Sequence, residues 1–336
     1  MKHLSVLLFL MLTYTGYGQY TEVINSKRPG FSESPFGIGT RVFQLETGGF
    51  YQHNNQSVVG GLSNSYGMDL FLRSGFIWEK LELNLALRYQ ADKIMDDLAS
   101  GHTYAQSGMS QFTFGAKYLF YMPKYKDPSK EIRSWKKKWA FDTKRLIPSI
   151  GLYAGLNTNF LGTTYKAPSL SPKVVLLLQN DFSPYLIWVN NIVADYLTLD
   201  TQRTFGYIST LSYSMTDRFS IFGETQGMFR KDSKEFLFGG GFAYLPSKDM
   251  QIDIFARHEI EFDYLNLYGG LGFSWRLDHH KDKVMYKKTN NDVGSGKINQ
   301  KKGNFFSRIF KKKKKRRKKI RIKDAKRKRS RRKPRR

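Results

Sequence analysis

The chain has 336 residues, no cysteine and a formal net charge of +28. The missing cysteines exclude a disulfide scaffold, a thiolate metal site, a cysteine nucleophile and a lipidated N-terminal cysteine. The charge belongs to one end: residues 301–336 hold 23 of the 56 basic residues and one of the 28 acidic ones, so the remainder is close to balanced.

The chain opens MKHLSVLLFLMLTYTGYGQ. Lys2 and His3 precede an apolar run from Leu4 to Leu12, and Gly16 and Gly18 stand at the −3 and −1 positions of a cut before Gln19. The apolar run is too short to span a bilayer as a helix. Residues 1–18 are therefore expected to be a signal peptide of an exported bacterial protein. Residues 19–39 follow as an N-terminal periplasmic or plug segment, rich in turn residues (Pro29, Gly30, Pro35, Gly37, Gly39).

No later stretch offers 18 consecutive apolar residues, so no spanning helix is expected. Instead the chain alternates. In LELNLALRYQ, Leu81, Leu83, Leu85, Leu87 and Tyr89 face Glu82, Asn84, Ala86, Arg88 and Gln90 across a strand of period two. The run 111–120 sets Phe112, Phe114, Tyr118 and Phe120 against Gln111, Thr113 and Lys117. Near the C-terminal side, Leu267, Leu271, Phe273 and Trp275 oppose Asn266, Ser274 and Arg276. About twelve such segments are legible, at 41–53, 66–77, 80–91, 110–121, 147–157, 173–182, 185–196, 203–215, 218–229, 235–245, 250–260 and 264–277. Several reach ten residues, the length a tilted strand needs to cross a bilayer. Tight turns at Trp78–Glu79, 182–184, Thr216–Asp217 and 246–249 alternate with longer polar links at 54–65, 92–109 and 158–172. This is the layout of an outer-membrane barrel.

The fold expected is all-β: a transmembrane antiparallel barrel of about 12 strands over residues 40–277, monomeric, in the outer membrane of a Gram-negative cell. A soluble sandwich hides its apolar face, whereas a membrane barrel turns it outward and closes to pair every backbone group. Asp69, Arg73, Glu82, Arg88, Lys117, Asp253 and Arg257 then face the lumen. Tyr89, Tyr121, Tyr213, Tyr244 and Trp275 suit interfacial girdles.

Particular residues carry a resemblance. Arg28-Pro29, Ser32-Glu33-Ser34-Pro35, Gly39 and the strand Gln44-x-Glu46-x-Gly48 resemble the opening of the outer-membrane family named for the MetA-pathway of phenol degradation, of the type found in Bacteroidota. Asp217-Arg218 through Glu224 and the closing Gly270 to Arg276 are similar as well, so the resemblance covers roughly residues 24 to 277. It implies a barrel and a transport role.

Two readings stand for Arg28, Glu33 and Glu46: a ligand site at the barrel mouth, or a structural lock in which charge pairs hold the N-terminal segment as a plug. Two also stand for Arg73, Arg88 and Arg257. They form a lumen selectivity ladder, or they are balanced by Asp69, Glu82 and Asp253 in a closed interior. Gly239–Gly241 and Gly269–Gly270 lack the strand–turn–helix setting of a phosphate loop. Among the six histidines, His258 falls within a predicted strand, on its lipid side, and no serine and acid can be matched to it. No catalytic residue, cofactor or metal site is expected.

The C-terminal region divides into a linker (278–310) and a polybasic tail (311–336). In Asn304–Phe310, Phe305, Phe306, Ile309 and Phe310 share one face of a helix, and Lys311, Lys312 and Lys313 begin the basic run. Export argues against nucleic acid as its partner. Two further readings stand: a disordered solvated tail, or an interfacial anchor for anionic phospholipid or peptidoglycan. The function expected is passive admission or binding of a small, hydrophobic or aromatic solute. The alternative is an envelope-tethering barrel whose basic tail does the binding.

Overall fold

The computed structural model describes residues 23–280 apart from 57–60, 76–77, 96–101, 126–140, 159, 167, 232 and 260–263. Twelve strands follow one another: β1 (Val42–Gln56), β2 (Gly61–Gly75), β3 (Leu81–Met95), β4 (Thr103–Tyr121), β5 (Ser149–Asn157), β6 (Ser171–Asp181), β7 (Leu186–Asp195), β8 (Thr204–Ser214), β9 (Phe219–Phe229), β10 (Lys234–Ser247), β11 (Met250–Glu259) and β12 (Tyr264–Asp278). Each pairs antiparallel with its sequence neighbours. β1 also pairs with β12, from Val42 opposite Asp278 to Gln56 opposite Tyr264, so the sheet closes into a barrel.

The period-two pattern sets the two faces of this wall. On β3, Glu82, Asn84 and Ala86 are buried in the interior, while Leu81, Leu83, Leu85 and Leu87 lie on the other side. Phe114, Leu211, Phe242, Ile252 and Leu271 stand exposed around the outside. A continuous outward apolar face of this kind is intolerable in water and is what a hydrocarbon solvent requires. Closure gives every strand a neighbour on both sides, as the same solvent demands. The molecule is an outer-membrane β-barrel. His258 lies on the outer face, as its parity predicts.

Two expectations about the links need correction. The long links placed at 54–65 and 92–109 are largely strand: the β1–β2 and β3–β4 hairpins run on, leaving only 57–60 and 96–102 between them. The extensions are polar on both sides (Asn54, Ser63, Asn64, Lys93), so they lose the alternation that marks a strand while keeping its ladder. The named tight turns all lie at the end where β1 begins, as expected, but a long link lies there as well. The link 122–148 lies at the end where β1 begins, and Thr143–Leu146 form a 3₁₀ turn within it.

Two apolar clusters lie inside. One joins Tyr153, Val175, Leu177, Val193 and Ile208 on β5 to β8. The other joins Phe50, Phe255 and Tyr268 on β1, β11 and β12. The expected signal peptide, the linker beyond residue 280 and the tail, with Phe305, Phe306, Ile309, Phe310 and Lys311–Lys313, lie outside the described residues.

Candidate functional site: the lumen and the segment inside it

The first described residues do not stay outside the barrel. Ile24 N donates to Lys248 O (2.8 Å) at the end where β1 begins. The chain then runs inward to Gly30 and Phe31, returns, and joins β1 through Gly39 (φ 89°) and Arg41 (φ 62°). Gly39 supplies the left-handed turn, and Gly75 lets it close: a Cβ there would sit 1.8 Å from Gly39 O.

Strand parity puts Gln44, Glu46 and Gly48 on the inner face of β1, and each holds this segment. Gln44 Nε2 donates to Asn25 O (3.1 Å) and to Glu46 Oε1 (2.7 Å). Glu46 is wholly buried. Its Oε2 accepts from Ser26 Oγ (3.0 Å), Lys27 N (3.0 Å) and Arg28 N (3.4 Å), and its Oε1 from Arg73 Nη1 (2.9 Å). Gly48 lies opposite Gly272 of β12, and the pair makes a niche for the Arg28 guanidinium. A Cβ on Gly48 would stand 2.3 Å from Arg28 Nη2, and one on Gly272 would stand 2.0 Å from Nε. In register beside these glycines are Asp69 on β2 and Asp253 on β11. Asp253 pairs with Arg28 Nε (3.3 Å), while Asp69 takes Arg88 Nε (2.6 Å) and Nη2 (3.2 Å).

A second chain of charges crosses the lumen. Arg73 joins Glu46 to Glu82 (Nε–Oε1 2.6 Å); Glu82 reaches Lys117 (3.3 Å), Lys117 reaches Glu33 (3.1 Å), and Glu33 reaches Lys27 (3.6 Å). Burial alone would raise the Glu33 carboxyl, but Lys117, Lys27 and Arg73 outweigh it and hold it down to about 2. Burial pulls the Lys27 ammonium below its ordinary value, with Glu33 working against the shift. Asn191 clamps the Glu33 backbone from both sides, accepting from its N–H (2.6 Å) and donating to its carbonyl (2.9 Å).

Deeper in, Glu224 accepts from Phe31 N (2.8 Å), Ser32 N (3.4 Å) and Thr210 Oγ1 (2.7 Å) on one oxygen and from Arg257 Nε (3.0 Å) on the other. The Arg257 guanidinium carbon lies 3.7 Å from the Phe31 ring centre. Phe31 packs against both apolar clusters, so the tip of the segment fills the width between them. Beyond it lies a cavity of about 440 Å³. Asp69, Arg88 and Arg257 line one side, with Phe255 and Tyr268 beside them, and Tyr153, Val175, Val193 and Ile208 line the other, with Asn191 and Asp195 beside them. The strand order sets β8 across from β2, so these three charged side chains face the apolar four.

All nine lumen candidates lie among the described residues. The structure joins Glu46, Arg73, Glu82 and Glu33 in one network, pairs Arg88 with Asp69, and seats Arg28 on Asp253. Arg257 pairs with Glu224 rather than with Asp253. Sequence reasoning gave no partner role to Glu224, Asn191 or Gln251, although each sits at an inward position of its strand. Gln251 Nε2 donates to Arg28 O (2.8 Å). Parity was the signal that could have found them. Among the described residues there is no His, Cys, Asp and Glu grouping suited to a metal.

A family profile described as "Putative MetA-pathway of phenol degradation" matches residues 26–277. No curated protein matches the sequence. Among solved structures, an outer membrane channel from Pseudomonas putida F1 aligns with a TM-score of 0.51 at 9% identity, over 76% of this chain and 100% of that one. The CymD monoaromatic hydrocarbon channel aligns at 0.41 and 9% identity, over 72% and 90% of the two chains. The P. putida toluene transporter TodX aligns at 0.40 and 8% identity, over 79% and 100%.

Proposed function

The chain belongs to the MetA-pathway of phenol degradation family, and on that premise we propose that it is a passive outer-membrane channel that admits or binds a small solute. The observation that carries this reading is the cavity beyond Phe31, enclosed by the barrel wall and lined by both charged and apolar side chains. A pocket of this size and mixed lining suits a small molecule with an apolar body and a polar end. The outward face supports residence in lipid, and the barrel likeness to an outer membrane channel supports passage rather than catalysis. In this reading the even number of strands turns both ends of the barrel to the periplasm, so the described residues 23–39 plug the lumen from that side and Arg28, Glu33 and Glu46 act as the lock.

Liposome swelling across sugars, amino acids and aromatic acids tests the proposal, with the intact protein beside a variant lacking residues 19–39. Solute-dependent swelling is expected, faster for the deletion. A folded barrel that swells liposomes with no solute in either form overturns it.

A second reading rests on Phe305–Phe310 and the basic run from Lys311: the barrel is also tethered to anionic membrane or cell wall through its tail.

A further inference from the structure

The tip of the N-terminal segment is held in two separable ways. Its backbone hangs on Glu224 through the N–H groups of Phe31 and Ser32. Its one aromatic side chain enters a slot that the barrel wall builds. The Arg257 guanidinium lies over the Phe31 ring at 3.7 Å. Phe255 meets the ring edge-on at 6.3 Å between centroids, and Tyr268 lies tilted at 5.7 Å. Phe31 also packs against the apolar cluster of β5 to β8, as Met228 does.

Nothing in these contacts requires that the ring be joined to the chain. A planar guanidinium favours a π face, and aromatic edges and branched aliphatics complete a cage that any single ring fits. Arg257 donates to Pro29 O of the segment (3.3 Å), but its ion pair with Glu224 of the barrel wall does not need the Phe31 ring, so that pair still holds the guanidinium at the slot when the ring leaves. Arg257, Phe255, Tyr268, Ile208 and Met228 also line the cavity, so a molecule in the cavity already touches the slot's rim.

We propose that this slot is a binding site for one aromatic ring of a solute, and that Phe31 is its resident occupant. A monocyclic aromatic molecule and the plug tip then compete for the same surface. Binding of the one loosens the other, which makes the plug responsive to the class of solute that the lumen accepts. This rests on the channel reading for its consequence but not for the binding itself.

The probes are benzyl alcohol and cyclohexylmethanol, alike in size and polarity and differing in the π face. Binding to the detergent-solubilised full chain is followed by saturation-transfer NMR, with heat-modifiable gel mobility as the check of folding. Phe31→Ala should bind benzyl alcohol about five- to tenfold more tightly than the unaltered protein, with cyclohexylmethanol gaining clearly less. Adding Arg257→Lys, which keeps the charge for Glu224 but removes the flat stacking surface, should reverse most of that gain. Where Phe31→Ala does not give a folded barrel, Phe31→Leu replaces it, and the same order is expected with a smaller factor. Equal binding of benzyl alcohol to variant and unaltered protein overturns the slot, and so does equal gain for the two alcohols. Conductance measured on the same samples separates the two claims. Aromatic-selective binding without conductance removes the channel reading and leaves the slot; conductance without selective binding does the reverse.

Discussion

At the scale of residues, the inner wall works by matching small positions to large charged ones. Gly48 and Gly272 are there because Arg28 is. Alanine at position 48 drives its Cβ into the end of a flexible side chain, not into backbone, so the barrel should survive Gly48→Ala while Arg28 leaves Asp253. The expected outcome is unchanged heat-modifiable mobility with raised single-channel conductance; unchanged conductance would show that Arg28 does not hold the segment. Neighbouring positions on β3 test the two faces of the wall. Leu85→Arg places a charge in lipid and should cost roughly 2–4 kcal/mol near the midplane, whereas Ala86→Arg points into the cavity and should be tolerated. Loss of folding for position 86 but not for 85 would invert the assignment. Which residues face inward was legible, because parity is local. Which acid meets which base was not: Arg257 finds Glu224 only because β9, β10 and β11 stack at particular heights, and strand registers are not written in any one strand.

At the scale of elements, the twelve strands were legible to within a few residues, because each crosses lipid and must alternate. The hairpin ends were not, since outside the bilayer both faces meet water and the pattern lapses. The N-terminal segment has no periodicity at all. Its turn residues and its charges were visible, but its path between the two apolar clusters was not. Deleting residues 19–39 should raise conductance without unfolding the barrel; equal conductance would remove the plug. Acid offers a second handle. Glu33 has its carboxyl held near 2, below its ordinary value of 4.5, so its contribution to docking is complete above about pH 4.5 and is lost as pH falls through 2. Conductance should therefore be flat from pH 7 to about 5 and rise only below about 4.5. Glu33→Gln should bring the high-conductance state to neutral pH. A rise already present at pH 6 in the unaltered protein would point to another group.

At the scale of the whole molecule, a near-neutral barrel carries a strongly basic end. A peptide of residues 301–336 should bind anionic but not zwitterionic vesicles, since each basic residue near such a surface contributes about 1 kcal/mol, and salt should weaken it steeply. Equal binding to both vesicle types, or none to either at low salt, would remove the tether. The closed ring also gives the Arg28 niche a meaning in time. Gly48 belongs to the first strand made and Gly272 to the last, and Ser26 likewise spans Glu46 of β1 and Ser274 of β12. The seat for the N-terminal segment does not exist until the final strand has zipped onto the first. The segment is thus a clasp across the seam of the barrel: Arg28 and Ser26 find their full set of partners only where the first and last strands lie side by side.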